Sequence, residues 1–172
     1  MLELAGEVAD GVLMLVGLNP DAIAAAREHL KVGAARGDRD TQELKEIFIV
    51  PMALGERSEA RRWTQRWFRE GQPWLEYPSR SNLRWLKEAG IEVAEGTDPS
   101  KISDDLAERI CDAFGLFGEP ERCAERLIRA HEEAGIEHVF LFPAHDMKSG
   151  YELPHAEVEA FGKTIGPRLA GR

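Results

Sequence analysis

The sequence predicts an α/β protein organised on a parallel sheet. Three short apolar runs, Gly11–Gly17 (GVLMLVG), Glu46–Met52 (EIFIVPM) and Glu137–Pro143 (EHVFLFP), are bounded by turn residues or proline. Stretches with apolar residues at helical spacing separate them, and strands alternating with helices form parallel sheets through right-handed crossovers. With 172 residues, 43% of them apolar, residues 1–172 are expected to form a single domain with its own core.

Asp10-Gly11 turns the chain into the first run, whose unbroken apolar character reads as a strand buried on both faces. Asp10 stands before that strand and reads as a turn residue. Asn19-Pro20-Asp21 then supplies an N-cap, a proline at the first helical position and an acid in the first turn. Ile23, Ala26, Leu30 and Ala34 continue a helix over 22–35 that Gly37 ends. The second run is a strand closed by Pro51-Met52, followed by a helix over 59–70. Helices over 81–89, 103–114 and 121–134 come next, with no convincing strand before Glu137 beyond a stub at Ile91-Glu92-Val93. This helical insertion, about residues 53–116, is expected on the loop face beyond a strand, where lids are found. Gly135 caps the helix before the third strand, and a last helix over 155–169 is interrupted by Gly162 and Gly166-Pro167.

The chain carries 22 Lys and Arg against 31 Asp and Glu, a net charge of −9. That balance repels phosphate backbones and anionic membranes, so neither nucleic acid nor membrane is an expected partner. The helix from Arg61 to Arg69 interleaves arginines with Trp63 and Trp67, but four-residue spacing puts both indoles on one buried face and leaves the arginines in water. Cys111 and Cys123 make neither a disulfide framework nor a zinc site, and the start of the chain carries no export signal, so a cytoplasmic location is expected. The five histidines lack metal-ligand spacing, and no metal is expected. Glycine-rich dinucleotide, P-loop and GxSxG motifs are absent.

Three segments carry a resemblance. Gly6-Glu7-Val8-Ala9-Asp10-Gly11 runs into an apolar strand and Asn-Pro, and far downstream stand Phe117-Gly118-Glu119-Pro120-Glu121-Arg122-Cys123-Ala124-Glu125-Arg126-Leu127 and Ala134-Gly135-Ile136-Glu137-His138-Val139. In this order they resemble the C-terminal half of luciferase-like flavin-dependent monooxygenases, a superfamily that includes deazaflavin-dependent methylene-tetrahydromethanopterin reductases. The resemblance implies a partial (β/α)8 TIM-type barrel, because a complete one needs about 250 residues. It also implies an oxidoreductase fold whose chemistry is carried by FMN or a deazaflavin acting on a small-molecule substrate. Glu119 stands where the family more often has Thr or Ser before the proline, and a carboxylate can serve as that cap.

By resemblance the chain begins inside the fifth helix and carries the last three strands, so the N-terminal wall of the flavin pocket is missing. The truncated chain is expected to bind flavin weakly or not at all. The alternative is a non-catalytic barrel remnant working as an oligomerisation or partner-binding module. Exposing about six core side chains costs on the order of 10 kcal/mol. A homo-oligomer or a complementary half-barrel is therefore the expected partner, with Val139 and Leu141 serving both fold and assembly.

Barrel chemistry sits at the C-terminal ends of strands. There, Gly17 and Asn19 are the candidate cofactor contacts: glycine can admit a flat ring, and asparagine can bond a ring or substrate carbonyl unless its helix cap occupies it. Met52, Trp63, Trp67 and His145 are the candidate substrate-pocket residues, the tryptophans as lid or apolar wall and His145 as a possible proton donor. No catalytic residue is assigned.

Overall fold

A computed structural model describes residues 1–67, 82–94, 97–98, 101–143 and 153–170, with the side chains of 65–67 outside the description. The helices are α1 (Leu2–Val8), α2 (Pro20–Arg36), α3 (Ala60–Trp67), α4 (82–88), α5 (Asp104–Phe114), α6 (Pro120–Ala134), α7 (His155–Ala160) and α8 (Gly166–Ala170). The strands are β1 (Gly11–Met14), β2 (Lys45–Leu54), β3 (Leu116–Gly118) and β4 (Val139–Pro143). Among the described residues, no helix is long and apolar enough to cross a membrane.

All strand pairs are parallel, as the alternation requires. Strand β2 is the centre. Its Phe48 faces Met14 of β1 and Val139 of β4, and its Met52 faces Leu116 of β3 and Pro143 of β4. Strands β1 and β3 therefore lie end to end along one edge of β2, with β4 on the other, and the sheet does not close.

Strand β3 is where expectation and structure differ. Residues 91–93 form no strand, and the extra strand is Leu116–Gly118. Three residues between two helices carry too little pattern to read as a strand; they become one by pairing with the C-terminal end of β2. Strand β1 correspondingly stops at Met14, because beyond it the edge of β2 belongs to β3.

Alternation along the strands gives the sheet two different faces. Met14, Phe48, Val50 and Met52 point into the main core with Ile23, Ala26 and Leu30 of α2 and Ala124, Leu127 and Ala130 of α6. Among the described residues, the opposite face is covered only at its C-terminal end. There Ala53 and Phe117 meet Trp63, Leu86, Ile110 and Phe114 of the helical insertion in a second cluster. Nearer the start of the strands the same face is open: Leu13 is 61% exposed and Phe140 53%. The first strand is thus buried on one face rather than two. Val139 and Leu141 pack against the main core, so the outward parity of β4 belongs to Phe140 and Phe142.

The capping signals hold in detail. Asn19 Oδ1 accepts from the N–H groups of Asp21 and Ala22 at 2.9 and 3.2 Å, Ser103 Oγ accepts from Leu106 N–H at 3.2 Å, and Gly135 ends α6 in the left-handed conformation. Glu119 occupies the cap position of α6, but its carboxylate accepts no bond from the helix. The C-terminal helix is divided as its glycines suggest, with a wide turn at Phe161–Ile165 between α7 and α8.

Candidate active site

The C-terminal ends of β1, β2 and β3 come together with the ends of α5 and the start of α6. After β1, Gly17 adopts φ 84°, a left-handed value that favours glycine. A Cβ there would lie 2.4 Å from the Ala113 carbonyl oxygen, and that oxygen accepts from Leu18 N–H at 2.8 Å. The loop after β1 is thereby fastened to the last turn of α5. Asn19 follows at once. Its Oδ1 is engaged in the α2 cap, and the amide nitrogen is the part of the side chain the cap does not use.

Asn19 opens onto a cavity of about 510 Å³ whose wall sets Arg109, Arg122, Arg126 and Arg129 against Asp112, Glu125 and Glu133. Arg126 is fixed in that wall: Nε donates to Asp112 O at 3.1 Å and Nη2 to Leu18 O at 2.8 Å. Burial pulls its pKa below the ordinary arginine value, and the two carbonyls replace the water it has lost. Arg122 donates to Asp112 Oδ1 at 3.2 Å. Beside it Arg57, just past the end of β2, reaches four acceptors at once. Nε donates to Glu108 Oε1 at 2.9 Å, Nη1 to Phe117 O at 3.0 Å, and Nη2 to Glu108 O at 3.0 Å and Asp112 Oδ1 at 2.8 Å. The ends of β2 and β3 and the outer side of α5 are locked together by this one guanidinium.

Such a mixed wall can hold a polar group, but it offers no activated nucleophile. Cys111 and Cys123 are buried, and loss of water pushes both thiols from an ordinary 9.0 up to about 12. Both are expected to resist a disulfide reagent in the folded protein at about pH 8 and to react fully once guanidinium unfolds it. A pKa raised in the folded state stabilises the fold below the unfolded thiol pKa, and that contribution is lost as pH climbs from 9.0 towards 12.

The sequence-derived candidates fall in separate places. Gly17 and Asn19 share the loop after β1. Met52, 1% exposed, lies in the main core on the helix-facing side of β2. Trp63, 2% exposed, lies on the other side and stacks on Phe117 with ring centroids 5.6 Å apart and planes at 28°. Met52 and Trp63 are therefore not brought together. The side chain of Trp67 and all of His145 lie outside the described residues. Arg57 and Arg126 escape a sequence reading, although Arg126 carries a faint signal: it sits among Cys123, Leu127 and Ala130, the buried face of α6. Among the described residues no three histidine, cysteine or carboxylate side chains converge as a metal site would need.

A flavin or deazaflavin ring requires a flat slot with walls on both sides. Here the Ala113 carbonyl fills the open side of Gly17, and the Trp63–Phe117 stack fills the end of the sheet beyond Ala53. The described residues by themselves do not fit the ring.

Two comparisons place this architecture among known proteins. The structure of the coenzyme F420-dependent tetrahydromethanopterin reductase from Methanopyrus kandleri is similar at a TM-score of 0.58 and 22% identity, over 97% of this chain and 47% of the reductase. The chain thus spans about half the length of that enzyme, and the likeness supports a partial TIM-type fold. The family model for luciferase-like monooxygenases matches residues 1–138. With that match over most of its length, on a parallel sheet of the same type, the chain belongs to the luciferase-like monooxygenase family, an oxidoreductase group.

Proposed function

We propose that this chain is the C-terminal half of a flavin- or deazaflavin-dependent oxidoreductase, contributing one wall of the site and depending on further strands for the other. The observation that carries the reading is the family match over residues 1–138. The loop after β1 supports it, because Asn19 follows the end of a barrel-type strand and borders a cavity walled by arginines and carboxylates. In this role the chain orients a polar part of the cofactor or of a small-molecule substrate, and the cofactor supplies the redox chemistry.

A second reading, a non-catalytic partner-binding module, draws on the filled space beside Gly17 and the open sheet face. Fluorescence titration with FMN and with coenzyme F420 separates one-walled from self-sufficient sites. The isolated chain is expected to show no saturable binding at micromolar ligand, since a ring held on one side forgoes much of its burial. Micromolar or tighter binding by the chain alone would overturn the division of the site between two halves.

A further inference from the structure

We propose that His29 ties α4 of the helical insertion to α2 only while its ring is neutral, so that acid loosens α4 and, with it, one wall of the cavity at Asn19. The inference stands on side-chain contacts and holds whatever that cavity binds. His29 lies midway along α2, between two other elements. Its Nδ1 is 3.2 Å from Glu3 Oε1 on α1, and its Nε2 meets Arg84 Nη2 on α4. An ionised carboxylate can only accept and a guanidinium can only donate, so the hydrogen sits on Nδ1 and the lone pair on Nε2. Arg36 Nη1 holds the other oxygen of Glu3 at 2.7 Å, and the bonds from His29 and Arg36 keep that carboxyl below the ordinary glutamate range. Arg84 therefore donates to His29, and His29 to Glu3, an order that only a neutral imidazole sustains.

Acid acts on one side of this relay. Imidazole is the side-chain group that changes charge between about pH 8 and pH 5, and here the nitrogen left for a second proton is Nε2. There the accepting lone pair becomes an N–H facing a guanidinium, donor against donor and cation against cation, while the bond to Glu3 gains a charge and strengthens. Among the described residues, Glu3 and Arg84 are the charged groups in contact with the ring, and its neighbours on α2, Glu28 and Lys31, pair with each other at 2.5 Å. The Glu3 carboxyl contributes stability above the ordinary glutamate range that is lost only as pH falls below it, outside the histidine window. Helix α4 sends Trp85 into the main core and Leu86 into the second cluster, and Ala89 and Ile91 behind it line the Asn19 cavity. The Arg84 guanidinium also lies over the Trp85 ring, 5.1 Å from its centroid. Against these contacts stands Asn82, 1% exposed, whose amide has no hydrogen-bond partner among the described residues, a seat that costs free energy. An exposed tie is a weak one, but on a helix carrying that penalty it is enough to shift the opening equilibrium.

Long-range proton–nitrogen NMR of the full chain reads the tautomer directly, with the His29 signals assigned by their loss in His29→Gln. At about pH 7.5 a bare Nε2 and a protonated Nδ1 are expected. Hydrogen exchange, expressed as protection factors to remove its own pH dependence, then follows α4. The amides of Ala89, Gly90 and Ile91, which donate to Trp85, Lys87 and Leu86, should lose about threefold in protection by about pH 5.5, while those of Ala5 and Ala9 on the α1 side should lose none. His29→Gln, whose amide donates and accepts without titrating, should abolish the change. Arg84→Met, which keeps an apolar chain beside Trp85, should abolish it too and show the acid level of protection already at about pH 7.5. His138→Gln, at an exposed ring, should leave the change intact. A protonated Nε2 at neutral pH would overturn the inference, as would protection of the three amides that is the same at both pH values. A change that survives both the His29 and the Arg84 substitution would overturn it as well. No flavin enters these readouts, so failure here is distinct from failure of the flavin reading.

Discussion

Replacing Gly33 with alanine is expected to detach α1 from α2 and to lower the unfolding free energy by about 3 kcal/mol. The two helices meet backbone to backbone: a Cβ at Gly33 would lie 1.7 Å from the Glu3 carbonyl oxygen and 2.9 Å from its Cα. No side-chain rotamer relieves a clash with backbone, so α1 has to move as a unit. Moving it gives up the contact of Gly6 with Leu30 and the ion pair of Glu3 with Arg36 at 2.7 Å. Glu3 records how closely α1 is held, since its bonds to His29 and Arg36 keep the carboxyl below the ordinary glutamate range. Urea unfolding followed by tryptophan fluorescence measures the loss, and hydrogen exchange at Leu4–Val8 reports the detachment. Gly162→Ala is the control, because nothing lies within 4 Å of a Cβ there. An unchanged midpoint for Gly33→Ala would mean that α1 is not packed as described.

The second large effect is expected at Arg57. Its side chain is 14% exposed and holds four acceptors, two of them main-chain carbonyls. Truncation to alanine leaves those carbonyls unpaired and takes from Glu108 and Asp112 one of the two cations they share, Arg122 remaining at 3.6 and 3.2 Å, a loss of about 2–3 kcal/mol. The carboxylates are nearly half exposed and recover water, which keeps the figure below that of a fully buried pair. Arg57→Lys should restore less than half, since one ammonium cannot match a planar fork that spans four acceptors. Arg62→Ala, which removes an exposed pair with Glu59 at 3.2 Å, should change stability by no more than about 0.5 kcal/mol. Equal losses at Arg57 and Arg62 would show that the Arg57 network carries no structural load.

Much of the architecture was legible because its causes are local. The apolar runs at β1, β2 and β4, the Asn19 and Ser103 caps and the Gly135 stop are each set by a few adjacent residues, and each appears within about two or three residues of its expected place. Of the candidate site, the sequence located the loop of Gly17 and Asn19, because a strand followed by Asn-Pro marks a strand end. It could not locate Arg57, which lies in the polar run Gly55-Glu56-Arg57-Ser58-Glu59 and looks like a solvated loop. Its partners are 51 to 60 positions away.

By itself, then, the sequence determined that strands and helices alternate, that the strands run parallel, and which family the motifs belong to. Periodicity and capping are written in neighbouring residues, and a right-handed crossover leaves little choice of strand direction. Tertiary structure alone decided three further matters. The three residues of β3 became a strand because the far end of β2 had an edge to offer. The described part of the insertion closed over the C-terminal part of one sheet face, where Trp63 could stack on Phe117, while Leu13 and Phe140 stayed exposed. And the helix-facing side of β2 took Met52 while the other took Trp63, separating two side chains that a one-dimensional reading had placed in one pocket. An unbroken apolar run looks the same whether both of its faces are covered or one, since what covers a strand comes from elsewhere in the chain or from another chain.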